Sequence, residues 1–320
     1  MKKKITIKGI WEVLKNCFKG FSENKIPKLS ASLAYYTVFS IGPLLMVVIF
    51  LSSFFFGREA LEGTIYGQTK NFVGQDAAMQ IQQIIKSASI SGQSTVAATI
   101  GIITLVIGAT TMFAEIQDSI NMIWGLKRKP TAGWWVLIKT RLLSFGVIGS
   151  LGFLLLVSLS VSALLETLSD RLSSYFPHVT ITLFYIINII ISLAVVTTLF
   201  GVIFKMLPDA KIKWNDVLAG SITTAILFLL GKFAITFYIS KANIGSTYGS
   251  AGSLVVLLVW IYYSSFILYF GAEFTKSWAV KYGHEIDPDE YTVFAKKIEV
   301  NEENKSIQQV EKEKEKENVK

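Results

Sequence analysis

The sequence predicts an all-α polytopic membrane protein with six transmembrane helices, and three observations support that fold class. Six apolar runs lie at residues 29–57, 94–114, 142–165, 179–204, 217–240 and 250–272. Each is long enough for a helix to cross a hydrocarbon core of about 30 Å, which takes about 20 residues. Hydrophobic residues make up 52% of the chain and charged residues only 17%, too little polar surface to keep a soluble domain of this length dispersed. The third observation is the distribution of positive charge. Eight Lys and Arg precede the first run, and the later connections carry three, five, one, three and one, with nine after the last run. The connection with the first three is much the longest of its set, so odd-numbered segments are dense in positive charge and even-numbered ones sparse. The positive-inside bias then places both termini in the cytoplasm of a bacterial cell, with the chain in the cytoplasmic membrane. The net charge of +8 is explained by this topology and by attraction to anionic headgroups, so no nucleic-acid partner is expected.

Three regions follow: a cytoplasmic amphipathic segment at 1–28, a membrane domain at 29–282 and a largely disordered cytoplasmic tail at 283–320. In the first, Ile7, Ile10, Trp11, Leu14 and Phe18 recur at helical spacing with lysines elsewhere on the turn. Such a helix either lies on the inner leaflet or packs against the cytoplasmic face of the bundle. Span one carries Gly42-Pro43, and a proline there removes a backbone hydrogen bond, giving a packing kink or a hinge. Ser30, Ala31, Ser32 and Ala34 permit close helix approach. The outside connection at 57–93 is too apolar for a solvated loop and is expected to form amphipathic helices. Residues 115–125 continue span two as a helix before Lys127-Arg128-Lys129-Pro130 marks its exit. Trp124, Trp134 and Trp135 suit the headgroup layer. The last 20 residues, rich in Glu, Lys, Asn and Gln, cannot bury enough surface to fold.

Five of the six runs contain no ionised side chain, and the fifth run contains Lys232. A lysine near mid-membrane costs about 2.5–3.5 kcal/mol on insertion scales, which a partner or a function must offset. Asn188 on span four lies at a similar depth and is an available hydrogen-bond partner. Lys232 either snorkels to the outer interface or lines a polar cavity. Tyr35, Tyr36 and Ser40 on span one, with Tyr262 and Tyr263 on span six, form a polar and aromatic stripe in the inner halves. That stripe reads as interhelical hydrogen bonding or as a vestibule. Glu115, Asp118, Arg141 and Glu273 gather at the inner ends of their spans, as a structural ion-pair cluster or a proton relay, with Lys276 a second partner for Glu273.

Cys17 is the only cysteine, and His178 and His284 are far apart, so no zinc or haem site and no other cofactor is expected. The carboxylates form no two-metal cluster with a histidine base, which argues against nuclease or other enzymatic chemistry. No phosphate-cradling Gly-Lys-Ser/Thr loop is present to couple the protein to ATP.

Ala31-Ser32-Leu33-Ala34-Tyr35-Tyr36-Thr37-Val38-Phe39-Ser40 followed by Pro43-Leu44-Leu45 resembles the opening span of the YihY/BrkB membrane proteins. So do Ile120 to Gly125, Leu207-Pro208-Asp209, Gly231-Lys232, Tyr248-Gly249-Ser250 and Gly271-Ala272-Glu273, in that order over about Gly9 to Tyr282. The resemblance implies a six-span inner-membrane protein. Some similar proteins carry a ribonuclease BN label, and the BrkB name links others to serum resistance. Taken with the residues, the expectation is a transporter or flippase of an amphiphile or lipid-linked molecule. The alternative is an envelope organiser that recruits enzymes through its cytoplasmic ends; a membrane ribonuclease is a third and weaker reading. Membrane lipids are the expected partners, and a homo-oligomer is compatible with the sequence.

Overall fold

The computed structural model describes residues 5–40, 95–129, 177–241 and 252–295, with Met79 and Gln82. The protein is mostly helical. Helix α1 (Ile7–Glu23) is capped by Thr6, whose hydroxyl accepts from the Gly9 N–H, the usual device for satisfying an orphan donor of the first turn. It ends at Asn24, and Lys25 takes a left-handed φ of 51° that turns the chain into α2 (26–40). Next come α3 (Thr95–Trp124) and the short strand β1 (Leu126–Arg128). Between them Gly125 adopts φ +73°, a backbone region that costs glycine nothing and stops the helix. Then follow α4 (Pro177–Met206), β2 (Ala210–Lys211), α5 (Trp214–Lys241) and α6 (Gly252–Tyr282). Two more strands, β3 (Asp287–Pro288) and β4 (Thr292–Phe294), complete the described chain.

Among the described residues three helices are long and apolar enough to cross a membrane: Ile189–Met206, Trp214–Ile239 and Leu254–Tyr282. They belong to α4, α5 and α6, whose bounds extend the last three apolar runs at one or both ends. Their outer faces carry exposed Ile190, Leu230, Phe233 and Phe237, as lipid-facing helices do. Helix α5 packs between α4 and α6. Its contact with α6 is built on small residues: a methyl added at Gly220 would fall 1.8 Å from Thr275 Oγ1, and one at Gly271 would fall 2.1 Å from Thr224 Oγ1. Backbones approach this closely in membranes because van der Waals packing holds helices together there.

The C-termini of α3, α4 and α6 and the N-terminus of α5 meet at one end. The main core lies there, with Ile120, Ile123, Trp124, Phe204, Val217 and Tyr269 buried together. Strand β1 pairs antiparallel with β4, and β2 with β3. These pairs were not anticipated in an all-α fold. They also make the start of the tail structured: residues 283–295 fold back onto the loops after α3 and α4. The sequence conceals this because strands of two or three residues carry no periodicity.

Helix α1 packs along the last turns of α6 through Gly9, Val13, Cys17 and Gly20, all buried. That is not the face the sequence singles out. Ile7, Ile10, Trp11 and Phe18 stay exposed and Leu14 is half-buried. The docked face is read poorly from hydrophobicity because two of its four members are glycines.

Candidate functional site

The end that carries the strands holds two buried carboxyl groups, Asp216 and Glu273, and a partly buried third, Asp209, each answered by donors from distant parts of the chain. Asp209 stands in the loop between α4 and β2. Its Oδ1 accepts from Gln117 Nε2 at 2.8 Å, and its Oδ2 accepts from Asn121 Nδ2 at 2.8 Å and Arg128 Nε at 3.1 Å. Its backbone N–H donates to Asn121 Oδ1 at 2.9 Å, and its carbonyl accepts from the Asp289 N–H at 3.0 Å. Gln117 and Asn121 reach it together because residues four apart share a helix face. Arg128 also lies 3.8 Å from Asp118.

Asp216, in the first turn of α5, accepts from both the backbone N–H of His284 at 3.0 Å and its ring Nδ1 at 3.1 Å. Gly283 makes room for this: a methyl there would lie 2.4 Å from Asp216 Oδ1.

Glu273 is the most enclosed of the three, with 2% of its surface exposed. Asn24 Nδ2, from the turn after α1, donates to Oε2 at 2.9 Å, and Lys276 Nζ lies 3.7 Å from Oε1. The same ammonium donates to the Ile123 carbonyl at 2.6 Å, while Trp124 Nε1 donates to the Ala272 carbonyl at 3.0 Å. Gly20 of α1 rests directly on the carboxylate. Beside it Cys17 is buried with its thiol directed at the Phe270 carbonyl, 3.8 Å away. Burial first, and the Glu273 charge second, push this thiol up to about 12 despite Lys276 nearby. The fully buried Tyr269 hydroxyl faces Ser119 without a hydrogen bond of ordinary geometry.

The expected site residues separate into different contacts. Glu273 meets Lys276 and also accepts from Asn24, and Asp118 lies 3.8 Å from Arg128. Glu115 is half-buried on the same α3 face as Asp118 and Ser119. Ser40 is buried, donates to the Tyr36 carbonyl at 2.8 Å, and packs against Gly108 of α3. Tyr263 packs on Gly231, stacks with Trp260 at 5.8 Å and donates to the Leu227 carbonyl at 3.4 Å. Tyr35 and Tyr262 are exposed. Lys232, next to Gly231, is half-buried in α5. Asn188 lies on α4, with its side chain outside the described residues. Gly42, Pro43, Arg141, span three, the tail beyond 295 and all but two residues of the 57–93 segment also fall outside them.

Sequence reasoning passed over Asn24, Gln117, Asp216 and His284. Gln117 and Asn121 at helical spacing beside an apolar core were the available signal. For Asn24 and His284 there was none, because their partners lie 249 and 68 residues away. Among the described residues no group of three or more His, Cys, Asp or Glu side chains is placed to hold a metal ion.

The residues that bond these three carboxyl groups fall within 17–291, the region matched by the family model described as virulence factor BrkB. The chain belongs to the BrkB family. Relatives named UPF0761 membrane proteins are similar along most of it. One from Ralstonia nicotianae is 25% identical over 255 residues, covering 78% of this chain and 55% of the relative. One from Pseudoalteromonas atlantica is 28% identical over 267 residues, covering 81% and 83%. One from Haemophilus influenzae is 25% identical over 265 residues, covering 80% and 91%. The chain thus spans little more than half the length of some relatives, such as the Ralstonia protein. No solved structure matches it. This BrkB-family chain is an integral membrane protein, as its apolar helices and its membrane-protein relatives both indicate.

Proposed function

We propose that this BrkB-family protein transports or flips an amphiphile, such as an anionic lipid or lipid-linked precursor, across the cytoplasmic membrane. The observation that carries the reading is an ionisable group held within each of two neighbouring apolar helices, Lys232 in α5 and the enclosed Glu273 in α6. Ionisable side chains inside spanning helices are costly and mark pathways for substrates, ions or protons. Small-residue contacts between α5 and α6 bring these helices close, and Tyr263 sets its phenol against Gly231, the residue before Lys232. In this reading six helices span the membrane, both ends are cytoplasmic, and the strand-bearing end faces the cytoplasm. The energy comes from a gradient or from facilitated passage, and no catalytic turnover is involved.

Purified protein in liposomes tests the activity. Scrambling of labelled phospholipids, or flux of an anionic amphiphile, is expected above that of empty vesicles. Lys232→Met should insert and fold normally, because it replaces a costly charge by an apolar chain of similar length, yet lose most of the flux. Lys232→Arg should recover part of it. A fully active Lys232→Met protein overturns the site, and no flux for any headgroup class overturns the function. Single cysteines at Gln75 and Gln308 in a Cys17→Ser background test the topology, since labelling from the same side contradicts it.

A further inference from the structure

We propose that α1 is a docked interfacial helix whose free face binds the anionic-lipid surface of the membrane. The inference rests on how side chains are sorted around its circumference and is independent of any transport activity. At 3.6 residues per turn the docked face is Gly9, Val13, Cys17 and Gly20, buried against α6. Moving around the helix, Ile10 and Phe21 come next, and Phe21 sets its ring edge-on to Phe266 at 5.0 Å. Then come Ile7, Trp11 and Phe18, exposed by 89%, 69% and 63%. Phe18 leans one edge on Phe270 at 5.6 Å, so this strip begins at the α6 contact and continues outward.

Beyond the free apolar strip lie Lys8, Lys15 and Lys19, seven and four residues apart and all exposed. The acids stand on the far side of the lysines: Glu12, which pairs with Lys281 of α6, and Glu23, 3.6 Å from Lys19. The negative groups thus flank the α6 side and the positive groups border the exposed apolar side. A helix packed only on protein needs no such segregation. A strip of Ile, Trp and Phe edged by lysines matches acyl chains below and anionic headgroups above. Docking on α6 fixes the rotation of α1, so the strip is presented before any lipid arrives.

The test uses the full chain in lipid nanodiscs, with Trp11 as the reporter. Quenching by brominated phosphatidylglycerol and by brominated phosphatidylcholine is compared, with Trp11→Phe subtracted to remove the other tryptophans. Trp11 is expected to be quenched in both, and about twofold more by the anionic lipid, as lysines at the headgroup layer attract that lipid. Replacing Lys8, Lys15 and Lys19 together by Gln should equalise the two lipids and leave Trp11 quenched. Protection of Cys17 from alkylation must persist in that variant, which shows that α1 stays docked. An unquenched Trp11 in both lipids overturns the proposal, as does equal quenching in the unsubstituted protein. A dimer in detergent that dissociates on Trp11→Ser would assign the strip to a second copy and also overturn it.

Discussion

Gly20→Ala tests whether α1 is held by the Glu273 pocket. A methyl at Gly20 would lie 2.2 Å from Oε1, 2.4 Å from Cδ and 2.9 Å from Oε2 of Glu273. Ordinary contact needs about 3.5 Å, so helix or carboxylate must move by roughly 1 Å. The carboxylate is not free to yield, because Asn24 holds one oxygen at 2.9 Å and Lys276 stands 3.7 Å from the other. Losing one hydrogen bond to a charged group costs about 1.5–3 kcal/mol, so docking of α1 should weaken by about 2 kcal/mol, or roughly thirtyfold. Cys17 reports this directly. Its thiol is pushed up to about 12 from an ordinary value of 9.0, so at pH 8 the docked state holds about a thousandfold less thiolate than a released helix. Alkylation therefore proceeds through undocked α1, and its rate measures the undocked fraction. Maleimide labelling of the full-length protein, followed by mass spectrometry, should accelerate roughly thirtyfold in Gly20→Ala and stay unchanged in Asn16→Ala on the exposed face. A Gly20→Ala rate within about twofold of the parent would refute the reasoning, since it would mean a docking change under about 0.4 kcal/mol.

Asp209→Ala strips the acceptor from Gln117, Asn121 and Arg128 and should lower stability by about 3 kcal/mol or more. Thermal unfolding in detergent should show a lower midpoint, with Asp209→Asn intermediate; an unchanged midpoint contradicts the network. Gly283→Ala should push the tail off Asp216, read as faster limited proteolysis between α6 and β4. Glu12 titrates below its ordinary range, chiefly through the hydrogen bond and charge of Lys281. A depressed carboxylate contributes stability above its unfolded value near 4.5 and loses it as pH falls through the lower folded value. Hydrogen exchange in α1, corrected for intrinsic rates, should therefore be insensitive to this pair from pH 8 to 5 and rise only in acid below that. Glu12→Gln should abolish the acid rise; a variant that keeps it would show that another group is responsible.

Helices were legible where apolar length alone decides. The runs at 179–204 and 217–240 lie within α4 and α5, all but the first two residues of the run at 250–272 lie within α6, and the continuation of span two matches α3 to within one residue. Their ends were less so, because α6 runs on to Tyr282, where Trp278 and Tyr282 pack on each other among polar residues that break the hydropathy signal. The strands escaped because their pairing partners lie far away in sequence, as in Leu126 with Phe294. Of the candidate site, the Glu273–Lys276 pair could be foreseen at helical spacing. The Asp209 network could not, since a loop aspartate announces nothing about which helix face will receive it. The face of α1 that packs on α6 was not legible for a different reason. Hydrophobicity ranks Trp and Ile above Gly, whereas close approach to α6 needs the absence of a side chain.

The arrangement of these hydrogen-bonded carboxylates limits where this protein can move. Asp209 ties α3 to the loop after α4 and to the tail, Asp216 ties α5 to the tail, and Glu273 ties α6 to the turn after α1. Lys276 adds a bond from α6 to the end of α3. Apart from the backbone bond between Asp209 and Asp289, each link is a charge-assisted hydrogen bond between segments remote in sequence, and leaving such a group buried and unpaired costs several kcal/mol. Separating α3, α5 and α6 at this end would break several of them at once, so these helix ends move together or not at all. The opposite halves of α5 and α6, which include Lys232, Tyr263 and Trp260, hold aromatic packing and a long hydrogen bond from Tyr263 to the Leu227 carbonyl at 3.4 Å, a contact that yields at lower cost than the charged links. On the proposed transport reading, a path between α5 and α6 would open in the half that holds Lys232 and pivot on the half that holds Glu273.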